Sequence, residues 1–491
     1  MILKKFIELE NLRNKHKNKI IGLCHGVFDI LHVGHIDHLS EAKKNCDILL
    51  VSITSDDYVK KGPHQPYNNH IKRLKFLSSL KIIDYVFLNE DLTPIKLISY
   101  LKPNLYFKGL DYLHRDITDN LSKEKKEVKK HGGKIFITKT KLMSSTKILN
   151  NTIIKWTEDQ KKALAKINSQ KPYDHIISCL DDLNKISIDI IGEPILDRYV
   201  TIKTVGLTSK DPTISSIVEE VQIMPGGVLA VAIIASEFVN KVRLFTYGSN
   251  NYLKKIIKNK NIEIINLDHK QNIQTKTRYI NSNRYQKVFQ VTNFSRNIFS
   301  EKAYNKIIRK LNKFKISNLI ICDFGVGLFQ NIFLEYINKK KFKKFINAQT
   351  NSINYGYNLF TKYENNNLEY ISLDEKEWSL GLKKNIINHF DVKKVFPNTK
   401  ASLTLGVKGS VYLEKNNYYY CPVFIDKVVD TTGCGDAYFI ITSLLNVAKI
   451  KPYLVAFLGN IYAGMHSQNL GNINYPKKVD FIKFFKSVLS F

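Results

Sequence analysis

A short segment after a predicted strand constrains this chain more than any other feature of its sequence. The apolar run Ile20–Cys24 predicts a buried strand, and residues 26–35 then read Gly-Val-Phe-Asp-Ile-Leu-His-Val-Gly-His. From Ile36 onward, apolar residues recur at helical spacing and predict an amphipathic helix. His32 and His35 therefore lie at a strand-to-helix turn, where free backbone N–H groups and the helix dipole attract anions.

This turn has the residues that phosphate chemistry needs. Gly34 lets the backbone approach a phosphate closely, and two imidazoles at a helix start can stabilise the negative charge that develops as a phosphoryl bond breaks. The alternative is that His32 and His35 only cap the helix or bind a metal. The strand before the motif and the helix after it favour phosphate chemistry, because a short motif is informative only in the right structural context.

Length and composition restrict the class of protein. A chain of 491 residues predicts two or three domains, and 44% hydrophobic residues allow a full globular core. The longest apolar runs, Phe439–Ala448 and Tyr453–Met465, are too short or too broken to span a bilayer. The charged segment Met1–Lys19 lacks the apolar stretch of a secretory signal. Because the six cysteines have no C-x-x-C spacing, we expect a cytoplasmic protein without a zinc site or disulfide framework.

The formal net charge of +31 suggests an anionic partner. The lysines are spread along the chain, however, and asparagine and isoleucine are also abundant, which indicates a compositional bias rather than a ligand. No recognisable nucleic-acid-binding module accompanies the charge. We therefore do not expect nucleic-acid binding as the main role.

Two α/β regions separated by a polar segment are predicted along the chain. From residue 19 to 150, apolar runs alternate with helical patterns, which is typical of a parallel sheet. A second such pattern begins at Ile188, and its strand-rich stretches, Thr201–Met224 and Thr275–Thr292, predict a small β-lid. We expect domains over 1–150 and 173–491, joined by a linker over 151–172. The strands predicted in the first domain are Ile20–Cys24, Ile48–Thr54, Tyr85–Leu88, Leu105–Lys108 and Lys134–Ile137.

Downstream segments extend the histidine motif to an enzyme family. Together with that motif, Asp56–Ser79 and Lys102–Tyr112 resemble the cytidylyltransferase-like nucleotidyltransferases, and among them the adenylyltransferase half of ADP-heptose synthases. The resemblance covers about residues 18–150 and implies a Rossmann-like fold, nucleotidyl transfer with release of pyrophosphate, and catalytic roles for His32 and His35. It implies nucleotide or phosphate contacts at Gly26, Phe28, Gly34, Lys61, Arg73, Lys108, Asp111, Ser144, Ser145 and Thr146.

A glycine-rich turn in the second region indicates a different phosphate chemistry. Residues 428–439 read Val-Val-Asp-Thr-Thr-Gly-Cys-Gly-Asp-Ala-Tyr-Phe and resemble the signature of the ribokinase/PfkB-type sugar kinases. The resemblance implies that Gly433, Cys434 and Gly435 open a helix whose N–H groups hold the transferring phosphate. It implies that Asp436 is the base that takes the proton of the sugar hydroxyl.

The kinase resemblance covers about residues 173–491 and implies a ribokinase-like α/β fold. It implies contacts with the acceptor at Asp197, Gly226 and Gly227. Asp374 and Glu377 stand where the family has the residues associated with Mg²⁺, and carboxylates suit that ion. The residues implied on the ATP side are Thr404, Gly406, Gly409, Asn460 and Gly471.

Several positions depart from the kinase pattern, among them Asp374, where the family has an asparagine. Ala230 replaces an asparagine, Val326 replaces a lysine, and residues 347–349 read Asn-Ala-Gln where the family has Asp-Pro-Lys. Because the resemblance implies that Ala230, Val326 and Asn347 belong to the acceptor side, we expect a sugar specificity unlike that of the heptose kinases.

Together the motifs predict a bifunctional enzyme of nucleotide-sugar synthesis. The pair resembles the bifunctional heptose kinase/ADP-heptose synthase family, in which the kinase region comes first; here the transferase region comes first. We expect ATP or CTP as substrates, Mg²⁺ as cofactor, a sugar or polyol phosphate as partner, a homodimer, and no membrane or nucleic-acid partner. Two alternatives stay open: a transferase whose kinase-like domain is inactive and serves binding or assembly, and a basic nucleic-acid-binding protein.

Overall fold

The structure is a computed structural model, and it divides the chain into two compact units. The first comprises residues 1–156 and 482–491, and the second comprises 157–481. None of the described helices is long and apolar enough to cross a membrane. The residues that the structure describes are 1–59, 62, 65–91, 93–109, 120–139, 156–282, 286–293, 299–364 and 366–490.

A six-stranded sheet forms the centre of the first unit. Its strands are β1 (Ile2–Leu3), β2 (Ile21–Gly26), β3 (Ile48–Thr54), β4 (Tyr85–Asn89), β5 (Leu105–Lys108) and β6 (Lys134–Ile137). Their order is β1-β4-β3-β2-β5-β6, and all neighbours are parallel. The chain changes direction across the sheet at β2, and ligands of such sheets bind beyond the carboxyl end of the strands at this switch point.

Helices cover both faces of this sheet: α1 (Phe6–Lys15), α2 (Val33–Lys44), α3 (His70–Ser78), α4 (Ile95–Leu101) and α5 (Asn120–Lys130). Leu50 belongs to one apolar cluster and Val51 to another, so β3 is buried on both sides. A run of apolar residues without polar alternation is what a parallel strand between two helical layers requires.

The second unit is built on a nine-stranded sheet. Its strands are β7 (Ser187–Gly192), β10 (Lys241–Thr246), β11 (Ile262–Asn266), β14 (Asn318–Asp323), β15 (Lys343–Ala348), β16 (Leu368–Asp374), β17 (Lys400–Thr404), β18 (Ser410–Glu414) and β19 (Asn417–Cys421). Their order is β11-β10-β7-β14-β15-β16-β17-β18-β19. The pairs are parallel from β11 to β17 and antiparallel beyond it.

A separate four-stranded sheet, which we call the lid, accompanies it. The lid consists of β8 (Pro194–Leu207), β9 (Ile214–Gly227), β12 (Gln274–Asn281) and β13 (Gln286–Asn293) in the order β13-β12-β8-β9. β8 is antiparallel to β9 and parallel to β12, and β12 is antiparallel to β13. The predicted β-lid is therefore present, and a turn after Leu207 divides its first stretch into two strands.

One of the remaining helices, α8 (Val228–Ser236), is buried along its whole length, because its sequence is apolar on every face. The helices are α6 (Glu158–Asn168), α7 (Tyr173–Leu183), α8 (Val228–Ser236), α9 (Asn250–Ile256), α10 (Glu301–Leu311), α11 (Asn331–Lys339), α12 (Glu375–Leu382), α13 (His389–Val395), α14 (Cys434–Val447), α15 (Pro452–Ser467) and α16 (Lys478–Leu489).

The segment 151–172, predicted as a linker or connecting helix, contains helix α6 in its described part. Thr157 caps α6, which buries Leu164 and Ile167. Gln160 donates a hydrogen bond to the carbonyl of Val423 (2.7 Å). Residues from 157 onward therefore pack within the second unit, because α6 has an apolar side that a free linker would leave in water.

Candidate active sites

The turn after β2 brings the two predicted histidines together. His32 has an extended backbone, and its carbonyl accepts hydrogen bonds from the N–H groups of His35 (2.9 Å) and Ile36 (3.3 Å) as α2 begins. The rings of His32 and His35 stack with their centroids 3.9 Å apart. Both ring nitrogens of His32 are shielded from solvent and have no hydrogen-bond partner among the described residues. A bound phosphate can satisfy such nitrogens, which are costly to leave unpaired.

Packing sets both the position of this histidine pair and the protonation state of His32. Burial lowers the pKa of His32, so the ring is mainly neutral at pH 7 and has one donor and one acceptor nitrogen. The ring of Phe28 packs on His35 at 5.3 Å between centroids. Phe28 has a φ of 51°, and a Cβ at Gly26 would lie 3.1 Å from its ring. Gly26 therefore leaves room for Phe28, while Gly34 lies in the first turn of α2.

The structure places Arg73, predicted to contact phosphate, in the interior of the first unit. Its side chain is fully buried and donates to the carbonyls of Val27 (2.6 Å) and Asn68 (2.9 Å) and to Oδ1 of Asp56 (2.5 Å). Arg73 thus supports the loop after β2 from inside the unit. A sequence does not distinguish a buried arginine with several backbone acceptors from a surface one.

Lys108 also has an internal partner. Its Nζ lies 2.9 Å from Oε2 of Glu124, and both side chains are buried. The hydroxyl of Tyr106 donates to the same carboxylate (3.0 Å), so the charge of Lys108 is neutralised within the unit. The other predicted contacts, Lys61, Asp111, Ser144, Ser145 and Thr146, lie outside the described residues.

Two further histidines lie close to the same turn and were not singled out from the sequence. Nδ1 of His38 is 2.7 Å from Oγ1 of Thr138, and Nδ1 of His25 is 3.1 Å from Oγ of Ser52. The sequence does contain an indication of their role, because four of the 13 histidines of the chain lie in one short segment. They are His25, His32, His35 and His38.

In the second unit, the glycine-rich turn opens α14 as predicted from its pattern. Gly433 has a φ of 80°, and a Cβ there would lie 2.7 Å from Oδ1 of Asn472. A Cβ at Gly435 would meet no atom within 4 Å. Gly433 is therefore needed by the backbone, and the space at Gly435 leaves access to the first N–H groups of the helix, which lack intrahelical acceptors. Burial raises the pKa of the intervening Cys434 to about 12, so its thiol is neutral.

Asp430 holds this turn in place. It accepts hydrogen bonds from Nζ of Lys287 (2.5 Å), the N–H of Thr432 (2.9 Å), the hydroxyl of Tyr199 (2.8 Å) and the N–H of Gly471 (3.0 Å). Burial alone would raise the pKa of Asp430, but the bonds from Lys287, Thr432 and Tyr199 lower it to about 2. Gly471, predicted on the ATP side, thus supports the loop before α14.

Asp436 faces a small polar cavity of about 150 Å³. It is 8% exposed, and Nε2 of Gln349 donates to its Oδ1 (2.5 Å). Burial raises the pKa of Asp436 to about 7; the charge of Lys276 and the bond from Gln349 oppose this, and the charge of Asp197 adds to it. A carboxyl with this pKa can act as a general base near neutral pH. The other residues lining the cavity are Ile195, Gly227, Arg278, Phe324, Thr432, Gly433 and Gly435.

The predicted acceptor residues meet beside this cavity. Asp197 forms an ion pair with Arg278 and accepts from Nδ2 of Asn472 (3.2 Å). A Cβ at Gly226 would lie 2.3 Å from Oδ2 of Asp197, so only glycine fits there. Gly227 has a φ of 57° and precedes α8. Pairing of β8 with β9 places all three residues at one end of the lid.

The predicted ATP side does not reach this cavity. Thr404, Gly406 and Gly409 lie at the end of β17 and in the turn before β18, and none of them lines the cavity. Asn460 is buried and donates to the carbonyl of Cys421 (2.7 Å). Asn460 therefore links α15 to the end of β19 in this structure.

Asp374 and Glu377 form a reciprocal cap on α12. Oδ1 of Asp374 accepts from the N–H of Glu377 (2.7 Å), and Oε2 of Glu377 accepts from the N–H of Asp374 (2.9 Å). Oε1 of Glu377 accepts from the N–H of Thr350 (3.0 Å). Burial raises the pKa of Glu377 to about 8, with contributions from Asp374 and Asp436. Among the described residues, no group of three or more His, Cys, Asp or Glu is placed to hold a metal ion.

The departures from the kinase pattern lie inside the fold. Ala230 and Val326 are almost fully buried. The N–H of Val326 donates to Glu193 (2.9 Å), which also binds two neighbouring N–H groups of that loop. Asn347 is buried and donates to the carbonyl of Ser372 (2.8 Å). None of these residues lines the cavity beside Asp436.

Three charged or polar residues of the cavity were given no role from the sequence. Gln349 follows β15 and ends the Asn-Ala-Gln segment that departs from the kinase pattern, and Lys276 and Arg278 alternate along β12. The alternation of Lys276 and Arg278 is a signal that was available, because residues two apart on a strand share a face.

Family models match both regions of the chain. A model described as cytidylyltransferase-like matches residues 23–151, and a model of the pfkB family carbohydrate kinases matches residues 187–440. The predicted order, with the transferase region first, is thereby confirmed.

Curated relatives match only part of the chain. The bifunctional protein HldE of Aliarcobacter butzleri is 38% identical over 154 residues, which cover 30% of this chain and 32% of the relative. The bifunctional protein HldE of Helicobacter pylori strain Shi470 is 46% identical over 111 residues, which cover 22% and 24%. The chain thus spans about a third or less of the length of these relatives.

Solved structures share the fold of the larger region. The crystal structure of Escherichia coli phosphofructokinase-2 in complex with substrates and products has a TM-score of 0.50 and 13% identity, covering 62% of this chain and 99% of that one. The α/β class, Rossmann-like and then ribokinase-like, is confirmed. Since the kinase model extends over more than half of the 491 residues, this chain belongs to the pfkB family of carbohydrate kinases and has a cytidylyltransferase-like domain before that region.

Proposed function

We propose that the protein is a bifunctional enzyme of nucleotide-sugar synthesis. One unit transfers a nucleotidyl group from a nucleoside triphosphate to a sugar phosphate, and the other phosphorylates a sugar or polyol with ATP. The observation that carries the proposal is shared by both units: acid–base side chains stand at the first turn of a helix, where anions bind. The relatives named bifunctional protein HldE support two activities in one chain.

In the transferase reaction, a phosphate oxygen of the acceptor attacks the α-phosphorus of the nucleotide. The bond to the bridging oxygen breaks, and pyrophosphate leaves. His32 and His35 would hydrogen-bond to the phosphate oxygens, where charge accumulates in the transition state. The ring nitrogens of His32, which have no hydrogen-bond partner among the described residues, support this role.

In the kinase reaction, Asp436 would take the proton of the acceptor hydroxyl as its oxygen attacks the γ-phosphorus of ATP. The N–H groups at the start of α14 would hold the transferring phosphoryl group. Asp197 would orient the acceptor, since it borders the same cavity.

ATP or CTP and Mg²⁺ complete the proposal. Mg²⁺ usually keeps several waters and binds through one or two carboxylates and the phosphates of the substrate. Glu377 would contact the ion through one of these waters, because both its oxygens already accept backbone N–H groups. When bound, the ion would neutralise phosphate charge.

We also propose a cytoplasmic homodimer without a nucleic-acid partner. The strands of the lid carry exposed apolar side chains, including Ile217 (58%), Ile223 (54%) and Val291 (51%). A second copy would remove this apolar surface from water. Sedimentation of Ile217→Lys as a monomer, where the unchanged protein sediments as a dimer, tests this.

A screen of the full chain tests the two activities. Pyrophosphate release is measured with each of four nucleoside triphosphates against a panel of sugar phosphates. ADP formation from ATP is measured against the corresponding sugars, polyols and sugar phosphates. His35→Ala should abolish only pyrophosphate release and Asp436→Asn only ADP formation, so each variant is the folded control for the other. Absence of both activities across the panel would refute the proposal.

A further inference from the structure

Gln349 contacts the carboxylate that the proposed kinase reaction uses as its base. Its Nε2 donates to Oδ1 of Asp436 (2.5 Å), whereas no described residue hydrogen-bonds to Oδ2. One oxygen is thus held, and the other is left for an acceptor hydroxyl. This contact joins the carboxyl end of β15 to the first turn of α14.

The backbone of Gln349 is itself held in place. Its N–H donates to the carbonyl of Asp323 (2.8 Å), and its own carbonyl accepts from Nδ2 of Asn358 (3.1 Å) and of Asn354 (3.3 Å). A side chain on a fixed backbone loses less conformational freedom when it holds another group. Gln349 is therefore suited to hold Asp436 in one orientation.

The side-chain amide of Gln349 also affects the electrostatic environment of Asp436, because it is uncharged. Lys276 already places one cation near Asp436. A lysine at position 349, as in the Asp-Pro-Lys pattern, would add a second cation and favour the carboxylate form. A glutamine orients the carboxylate by a hydrogen bond without adding charge.

We propose that Gln349 is a positioning residue for Asp436, fixing the orientation of its carboxylate and keeping it a stronger base than a lysine would allow. This inference rests on the proposed kinase function. It adds a residue that acts through Asp436 and does not itself touch the reacting atoms.

The test compares Gln349→Lys, Gln349→Glu and Gln349→Leu in the full chain. The titration of Asp436 is followed by carbon NMR of labelled aspartate carboxyls, with Asp436→Asn identifying the signal. We expect Gln349→Lys to lower the midpoint and Gln349→Glu to raise it, each by roughly one pH unit or more. Gln349→Leu should raise it by less, because only a hydrogen bond is lost.

Kinase assays with the acceptor found in the screen give the second readout. The pH dependence of kcat should shift in the same direction as the NMR midpoint, with the KM for ATP within a few-fold. Gln271→Lys is the matched control, because Gln271 also donates to an aspartate, Asp268 (3.2 Å), and does not line the cavity. It should leave the Asp436 midpoint unchanged.

The outcomes separate this inference from the function on which it rests. An Asp436 midpoint that is the same in all three Gln349 variants would overturn the positioning role, whether or not the kinase is active. Shifted midpoints in a protein that phosphorylates no acceptor would uphold the contact and refute the kinase function.

Discussion

Burial changes the proton affinity of the candidate catalytic residues in opposite directions. It lowers the pKa of His32, whose charged form is a cation, and raises the pKa of Asp436, whose charged form is an anion. His32 is thereby kept mainly neutral, with one ring N–H that can donate to a phosphate oxygen. Asp436 reaches the range in which a carboxyl accepts a proton at pH 7.

Replacing the single residue His35 tests the transferase site. His35→Ala removes a ring that stacks on His32 at the start of α2, so we expect pyrophosphate release to fall on the order of 10²–10³-fold. His131→Ala is a suitable control, because His131 is also a histidine of the first unit and pairs with Glu127 at the end of α5. Wild-type rates in His35→Ala would exclude the assignment.

The kinase reaction should depend on pH through Asp436. The base works only when deprotonated and has a pKa of about 7, so kcat/KM should rise with pH from about 6 to about 8 and then level off. Assays in overlapping buffers check this. An activity that is constant over the same interval would show that the base is already ionised at pH 6, contrary to the environment that the structure gives Asp436.

At the scale of helices and strands, the sequence predicts best where one apolar run makes one element. The bounds of β3, β5 and β6 agree with the predicted ones, and in β3 the reason is that a run buried on both faces has clear ends. β1 and α1 were not predicted: β1 has only two residues, and α1 lies in a segment dominated by charge. Their burial depends on packing against β4 and α4, which sequence periodicity does not report.

Site residues, too, are predicted best where they are contiguous in the sequence. Gly433 to Asp436 are contiguous, and the turn at the start of α14 follows from their order. Gln349 and Lys276 reach Asp436 from β15 and β12, so their roles depend on tertiary contacts. Arg73 lies within a matching segment, and its burial and its bonds to backbone carbonyls likewise depend on tertiary contacts that the sequence does not show.

The cap of α12 should contribute to the stability of the fold. Asp374→Ala removes the acceptor for the N–H of Glu377 and should lower the free energy of unfolding by about 1 kcal/mol. Asp374→Asn keeps a capping oxygen and should change it by a few tenths. Fluorescence during urea unfolding reports this locally, because the buried Trp378 lies in α12. Equal losses in both variants would show that charge, rather than capping, is what Asp374 contributes.

At the scale of the whole molecule, the excess of positive charge does not by itself define a partner. Many lysines already face carboxylates, as Lys43 faces Asp84 (2.6 Å) and Lys343 faces Glu369 (2.8 Å). Exposed pairs of this kind contribute little to stability. The three sheets and the apolar clusters packed on them, rather than the ion pairs, therefore determine the architecture.

Cutting the chain between Trp156 and Thr157 tests this architecture. Each piece keeps a complete sheet, so we expect both fragments, 1–156 and 157–491, to be soluble and to unfold cooperatively. The fragment 1–156 should melt at a lower temperature than the same unit in the intact chain, because it lacks residues 482–491, which belong to that unit. Circular dichroism and calorimetry of each fragment and of the uncut protein measure both effects. If 1–156 has no cooperative transition even when a peptide of residues 482–491 is added, the first unit does not fold on its own, and two independent domains would be the wrong description.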